Sequence, residues 1–400
     1  MSGPYFFFRP LLAPNRAWTA LEWNSGDQPA ADANDYARCF AESGAAPLSD
    51  KMPLVLATDP AWLLSNEFVQ QFSARQAIFV LPATSLDDKE LLDRCLTLRK
   101  QGRHLALCVD HATSMNRVPL AAFDYLHIDA TFARYELTGP DLAYTASVGL
   151  HRIATGVASH GLFDWLAAKH VELCDSRFLT VSDPNTPSEP DLTRLKLLRL
   201  LSLVTQDADT REIEEVFREE PKLSYNLLRL VNSVAVGART TISSFHQAIA
   251  LLGRRQLQRW LQLLIYANQL AHANDPNPLL QLAAARGRQL ECLAAIIEPQ
   301  PELPQFADAA FMTGIFSLLD VLLNLPMSTI LDALPLQDDI TDALASRRGL
   351  LGEVLAAVIA GEAGDYAAAE ERLVRLKISP DQYATAQTTA FLWASRITLE

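Results

Sequence analysis

Histidines and cysteines are the residue types that most often bind metals or act as nucleophiles. In this sequence their spacing predicts no metal, redox or nucleophilic site. A metal-dependent hydrolase built on a His-Asp pair needs the two side by side on a helix, but the chain holds only the reversed pair Asp110-His111. After residue 190 the only histidines are His246 and His272. Cys108 lies near His104 in sequence, but a strand gives this pair no third partner, so core packing is favoured over a nucleophile. None of the five cysteines belongs to a CxxC pair, so neither a zinc knuckle nor a dithiol redox site is predicted.

Composition excludes several further classes of function. The 400 residues include 34 Lys+Arg and 47 Asp+Glu, a formal net charge of −13, which disfavours broad binding to nucleic acid or anionic membranes. No apolar run reaches the ~18 residues of a membrane-spanning helix. The richest run, near Phe311–Leu325, contains Asp320 and Asn324. The 16 glycines form no phosphate-binding loop. A soluble cytoplasmic protein is therefore expected.

A proline-rich segment separates two halves of the chain that have different hydrophobic patterns. Residues 181–190 contain three prolines and almost no apolar side chains, which predicts a linker. Before it, short apolar runs alternate with helical patterns, and five or six strands of a parallel sheet or barrel are expected. Four of these runs carry the prediction: Leu54–Ala57, Ala77–Leu81, His104–Val109 and Tyr125–Asp129. After it, nearly every segment has helical spacing.

The helical half resembles a known family in two consecutive motifs. Pro221–Ser233 and Thr241–Gly253 closely resemble the signature of HDOD domains, helical output modules of bacterial signalling proteins related to HD phosphohydrolases. The resemblance points to Pro221, Asn232, Ser233 and Gly253 as motif residues that shape turns or contact a partner. HD hydrolases usually have a Gly-Leu-Leu-His-Asp pattern. In the matching run of this chain, Ser317 stands in place of the histidine and Leu318 in place of the aspartate. Since leucine cannot ligate a metal, no metal site is expected there.

The first half resembles EAL-type phosphodiesterases of cyclic di-GMP, which are barrels with two metals held by carboxylates. Three fragments carry this resemblance: Thr19–Trp23, Leu126–Ala130 and Ile153–His160. It implies that Glu22 stands where the EAL glutamate would, with Asp129 as a second carboxylate. Most other expected ligands have no counterpart, so the resemblance predicts a degenerate barrel without metal, cofactor or catalytic residues. Trp23 is kept as a residue that could stack on a base, with core packing as the alternative.

These resemblances predict an EAL–HDOD two-domain protein. The fold class is a degenerate EAL-like (TIM-type) α/β barrel over residues 1–180, a linker over 181–190, and an all-helical HDOD domain over 191–400. The expected function is non-catalytic signal transduction or scaffolding through a protein partner. Two alternatives remain: a receptor that binds cyclic di-GMP through Glu22, Trp23 and Asp129 without hydrolysis, and a residual metal-dependent phosphodiesterase. Apolar residues near the carboxyl terminus, such as Phe391, Leu392 and Trp393, suggest a homodimer.

Overall fold

The computed structural model describes most of both halves. The described residues are 3–26, 31–109, 120–183, 202–203, 209, 212, 258–259, 262–263, 266, 276–298, 306–334 and 336–397.

Eight strands close into a barrel in the first half of the chain. They follow one another in chain order around the barrel. Strand β1 is antiparallel to both of its neighbours, β2 and β8, and the remaining neighbours are parallel. Their bounds are β1 Phe6–Leu12, β2 Trp18–Ser25, β3 Leu54–Ala57, β4 Ala77–Pro82, β5 His104–Val109, β6 Tyr125–Asp129, β7 His151–Thr155 and β8 Leu173–Asp175.

Helices and short turns connect the strands. The α-helices of this part are α1 Ala33–Glu42, α2 Ala45–Ser49, α3 Pro60–Leu64, α4 Asn66–Gln70, α5 Lys89–Lys100, α6 Ala130–Tyr135, α7 Gly139–Ser147 and α8 His160–Ala168. Aspartates cap several of them: the Asp32 and Asp88 side chains accept amide hydrogen bonds in the first turns of α1 and α5. Such caps satisfy backbone N–H groups that a helix start leaves without partners.

Alternation along the strands decides which side chains enter the barrel. Successive residues of a strand point to opposite faces. One buried cluster fills the interior; it comprises Leu11, Ala20, Val55, Ile78, Val80, Ala106, Ile153 and Leu173. Residues two positions away from these on the same strand therefore also face inward, and adjacent residues face the surrounding helices.

The described helical part contains eight further α-helices. They are α9 Pro278–Ala294, α10 Phe306–Phe316, α11 Leu319–Leu323, α12 Met327–Ala333, α13 Asp338–Ser346, α14 Gly349–Ala363, α15 Tyr366–Arg375 and α16 Pro380–Ala394. Helices α9 and α10 touch backbone to backbone where Gly314 meets Gly287. The described residues of this part include no strand, as expected. Residues 306–323 form two helices, α10 and α11, separated by a turn at Ser317-Leu318.

The contacts divide the chain into two compact units. The first contains Met1–Val181 together with Gly361–Glu370 and Ser379–Thr388 from the far end of the sequence. Within it, the Phe8 amide donates to the Gln387 side chain, and the Thr388 hydroxyl donates to the Ser43 carbonyl. The second unit contains the remaining residues after 181. The domain bounds 1–180, 181–190 and 191–400 stay a prediction.

One described stretch is long and apolar enough to cross a membrane by length and composition alone. It is Phe306–Leu323, and 72% of it is buried inside the fold. Core helices of folded domains share this property.

Candidate functional site at the carboxyl end of the barrel

Five ionisable side chains face inward near the end of the barrel where the parallel strands finish. They lie at even spacing from the interior cluster: Arg9 on β1, Glu22 on β2, His127 and Asp129 on β6, and Asp175 on β8. Because β1 is antiparallel, its early residue Arg9 reaches the same end as the last residues of the other strands. In α/β barrels this is the end that carries ligand sites.

Arg9 and Glu22 form a nearly buried ion pair. The Arg9 Nη1 donates to Glu22 Oε2 at 3.0 Å, and the side chains are 4% and 12% exposed. The Arg9 Nε also donates to the Glu362 carbonyl at 3.1 Å, and its Nη2 to the Tyr366 hydroxyl at 3.4 Å. Burial alone would lower the pKa of Arg9, but the charges of Glu22, Tyr366 and Asp175 raise it above its ordinary value. The guanidinium is thus held charged in the barrel.

Asp175 is fully buried between two arginines and a backbone turn. Its carboxylate accepts hydrogen bonds from the amides of Gly156 at 2.7 Å and Val157 at 3.1 Å. The Arg177 Nε lies 3.4 Å from Asp175 Oδ2. Desolvation raises the pKa of Asp175, and the neighbouring charges of Arg9 and Arg177 oppose this shift. The carboxylate therefore depends on these arginines to stay ionised.

Asp129 has a structural task at the start of α6. Its Oδ1 accepts from the amides of Thr131 at 2.8 Å and Phe132 at 3.0 Å, which makes it the N-cap. Its Oδ2 lies so close to Gly156 that a Cβ there would stand 2.6 Å from it. Gly156 also has a φ of +77°, which favours glycine. Asp129 itself is exposed to solvent at the rim.

His127 lies between the two carboxylates of the resemblance. Burial lowers the pKa of His127, and the charges of Glu22 and Asp129 oppose this change. Its Nδ1 is buried and has no hydrogen-bond partner among the described residues. The neutral ring is therefore the favoured form.

Trp23 is a core residue and does not contact a nucleotide. It follows Glu22 directly, so it points to the opposite face of β2 and is fully buried outside the barrel interior. Its ring stacks on Phe8 at a centroid distance of 5.6 Å and meets Tyr36 edge-on at 4.8 Å. No face of the indole is free to stack on a nucleotide base, so the alternative of core packing is the one the fold adopts.

The described carboxylates at this end do not fit the two metals that the EAL resemblance implies. Glu22 is paired with Arg9, Asp129 caps a helix, and Asp175 is saturated by backbone amides and an arginine. Over the described residues, which omit 110–119 and hence Asp110 and His111, no three His, Cys, Asp or Glu side chains are grouped to hold a metal ion.

In the helical part, the position aligned with the HD pair holds a different arrangement. The Ser317 hydroxyl donates to the Gly314 carbonyl at 2.7 Å and accepts from Arg286 Nη1 at 2.7 Å. Side-chain bonds of serine to its own helix backbone slightly destabilise a helix, and α10 ends at the residue before Ser317. Arg286 is 2% exposed, so a protein cation is buried at this point. The other motif residues, Pro221, Asn232, Ser233 and Gly253, lie outside the described residues.

Sequence reasoning found Glu22 and Asp129 but missed three of the five inward-facing groups. Arg9 and Asp175 belong to none of the three fragments that carry the EAL resemblance. His127 had a usable signal, since it lies two residues before Asp129 and must share its face of the strand.

A comparison with known families identifies the helical part. The family model described as HDOD domain matches residues 189–324. The chain carries an HDOD domain. With the closed barrel before it, the predicted order of a TIM-type barrel followed by a helical HDOD domain is confirmed. That the barrel is degenerate stays a prediction.

Two curated relatives extend this similarity. The chain is 28% identical over 191 residues to "Cyclic di-GMP phosphodiesterase CdgJ" of Vibrio cholerae, covering 48% of this chain and 43% of that protein. It is 26% identical over 296 residues to "Uncharacterized protein YuxH" of Bacillus subtilis, covering 70% of this chain and 69% of that protein. The chain thus spans less than half the length of the Vibrio relative. The prediction that the chain is not an enzyme is corrected, since this relative is named a phosphodiesterase.

Two solved structures are similar to less than half of the chain, with low TM-scores. A Klebsiella pneumoniae manganese and cyclic di-GMP complex is 20% identical with a TM-score of 0.35, covering 43% of this chain and 54% of that one. The EAL domain of Mycobacterium smegmatis DcpA is 16% identical with a TM-score of 0.35, covering 44% of this chain and 90% of that one.

The cysteines give a first testable expectation. Burial raises the pKa of Cys39 and of Cys174 to about 12 and that of Cys95 to about 11, so their thiols stay protonated at neutral pH. A thiol-reactive chromophore at pH 8 is expected to label none of these three within minutes in the native protein. All five cysteines should react after unfolding in guanidinium. Peptide mapping that finds rapid native labelling at Cys39 would contradict this burial.

Proposed function

We propose that this protein acts in cyclic di-GMP signalling, that its barrel binds the dinucleotide at the carboxyl end of the strands, and that its HDOD domain passes the signal to a protein partner. The observation that carries the proposal is the pair of arginines, Arg9 and Arg177, whose charges both act on buried Asp175. The choice of cyclic di-GMP as the ligand comes from the name of the Vibrio relative.

The chemistry of these groups suits a cyclic dinucleotide. Each of its two phosphodiesters carries one negative charge, and a guanidinium binds phosphate oxygens through two parallel N–H donors. The protein as a whole is acidic, so an anion in the barrel needs local positive charge, which Arg9 and Arg177 supply at this end.

Calorimetric titration of cyclic di-GMP into the full chain tests this proposal. The titration is run without divalent metal and with Mg²⁺ or Mn²⁺, and the mixtures are then separated chromatographically to detect linear product. Saturable binding supports the proposal, and product formation assigns phosphodiesterase activity to the chain itself. Absence of binding in every condition would overturn it.

A matched pair of arginine variants locates the site. Arg177→Ala is expected to weaken cyclic di-GMP binding about tenfold, since a charged hydrogen bond contributes ~1.5–3 kcal/mol. Arg16→Ala is the control, because Arg16 lies in the β1–β2 turn at the opposite end of the barrel and pairs with exposed Asp164. Equal affinities of the two variants would place the dinucleotide elsewhere.

The partner is proposed to be a protein that binds the HDOD domain. The homodimer suggested by Phe391, Leu392 and Trp393 loses its main support. Phe391 is 3% exposed, and the Trp393 ring contacts Phe311 edge-on at 6.0 Å, so these side chains are used within the chain's own core.

A further inference from the structure

The segment Gly361–Tyr366, called here the mouth segment, lies against the same arginines as the candidate site. It belongs to the compact unit of the barrel although it is far from it in sequence. Two of the three donor nitrogens of Arg9 are directed at it: Nε at the Glu362 carbonyl and Nη2 at the Tyr366 hydroxyl. The Tyr366 ring stacks on Phe7 with centroids 4.6 Å apart and planes 22° apart.

Gly364 brings the backbone of this segment against both guanidinium groups. A Cβ at Gly364 would stand 3.0 Å from Arg9 Nη2 and 3.4 Å from Arg177 Nη2, so the two cations converge on one point. Its φ of +86° is a conformation that glycine adopts without strain. The close approach and the backbone conformation both require glycine here.

The mouth segment uses neutral acceptors where an anion would bind more strongly. The Glu362 carbonyl and the Tyr366 phenol are uncharged, whereas a phosphodiester forms charge-assisted hydrogen bonds that are roughly twice as strong. The third nitrogen of Arg9 is already bonded to Glu22. A phosphate group that binds the Nε–Nη2 edge of Arg9 through two parallel hydrogen bonds must therefore take the places of Glu362 and Tyr366.

We propose that the mouth segment is an autoinhibitory cap, which occupies the arginine donors in the free protein and is displaced when a phosphodiester ligand binds. This inference rests on the proposed function, since it concerns the same site. The cap is continuous with α14 and α15, and residues 349–360 of α14 and 371–375 of α15 belong to the second unit. Its release therefore changes the ends of two helices that the ligand itself does not touch.

Removing one hydroxyl tests the competition. Tyr366→Phe deletes the hydrogen bond to Arg9 but keeps the aromatic ring on Phe7, so the fold should be retained. We expect the variant to bind cyclic di-GMP about three- to tenfold more tightly than the wild type, the range of a neutral hydrogen bond. Tyr135→Phe is the control, because Tyr135 is 78% exposed on α6, and its affinity should equal that of the wild type.

Hydrogen exchange on the unaltered protein gives a second readout. Saturating cyclic di-GMP should speed amide exchange in peptides covering residues 361–370, because displacement opens the end of α14. Equal or weaker binding by Tyr366→Phe, or slower exchange in these peptides, would overturn the cap. Failure of the proposed function is distinguishable, since neither the wild type nor Tyr366→Phe would then bind the dinucleotide. If Tyr366→Phe bound cyclic di-GMP and the wild type did not, the result would support a cap that blocks the site completely in the free protein.

Discussion

Replacing Arg9 by methionine is expected to lower the free energy of unfolding of the barrel by about 3–5 kcal/mol, the cost of removing one partner of a buried ion pair. The substitution keeps the length and apolar stem of the side chain but leaves Glu22 without its cation. It also removes one of the two positive charges that keep buried Asp175 ionised. Urea unfolding followed by tryptophan fluorescence measures the loss.

Arg38→Met is the control for this variant. Arg38 pairs with Asp381 at 2.8 Å, but both side chains are substantially exposed. A pair of this kind contributes about 0–1 kcal/mol. If Arg9→Met lost no more stability than Arg38→Met, the Arg9 network would not stabilise the barrel.

Arg9→Met is also expected to change how the free energy of unfolding depends on pH. Without Arg9, the pKa of Asp175 should rise further above its ordinary value, because one of the charges that oppose desolvation is gone. The folded state then binds more protons than the unfolded state between the two pKa values, so stability rises as pH falls through this window. The difference between wild type and Arg9→Met should therefore be smaller at pH 4.5 than at pH 7.5. Adding Asp175→Asn to Arg9→Met should reduce that dependence on pH.

Gly314→Ala is expected to destabilise the helical part by about 1–3 kcal/mol or more, the usual cost of overpacking a core. A Cβ at Gly314 would stand 2.6 Å from Gly287 Cα and 2.8 Å from Gly287 N. These are backbone atoms, so the contact cannot be relieved by rotating a side chain. Helices α9 and α10 would have to separate along a buried interface. Thermal unfolding followed by circular dichroism measures the loss.

Gly161→Ala is a matched control on another helix. Gly161 lies in the first turn of α8, and no atom stands within 4 Å of the position of an added Cβ. Alanine there should stabilise slightly, by up to about 0.5–1 kcal/mol, since it reduces the flexibility of the unfolded chain. A Gly314→Ala protein as stable as Gly161→Ala would contradict the close crossing of α9 and α10.

The strands predicted from the sequence are those with a continuous apolar run. The runs at 54–57, 104–109 and 125–129 became β3, β5 and β6 with the same bounds, because parallel strands buried on both faces are continuously apolar. Five or six strands were expected and eight are present. β8 has only three residues and β7 begins with His151 and Arg152, so neither presents a continuous apolar run of the expected length. β1 joins β2 by an antiparallel turn, so this pair is not a strand–helix–strand unit.

The candidate site was harder to predict because its members come from separate strands. Glu22 and Asp129 were found through the family resemblance, but their tasks, pairing with Arg9 and capping α6, depend on neighbours that only the fold supplies. Of the two interpretations of Trp23, core packing could have been chosen from the sequence. If Glu22 faces into the barrel, the alternation of a strand sends the next residue outward. The Tyr366 contact, by contrast, joins positions 357 residues apart and leaves no trace in the sequence.

The reversed direction of β1 has a practical consequence for anyone who expresses this protein. Since β1 runs against its two neighbours, polypeptide joined ahead of Phe6 emerges at the rim where the other seven strands finish, next to Arg9. A polyhistidine or other affinity tag placed there would share the space in which an anionic ligand must approach, and its imidazoles would compete for phosphate. Titrations should therefore use protein from which any such tag has been cleaved.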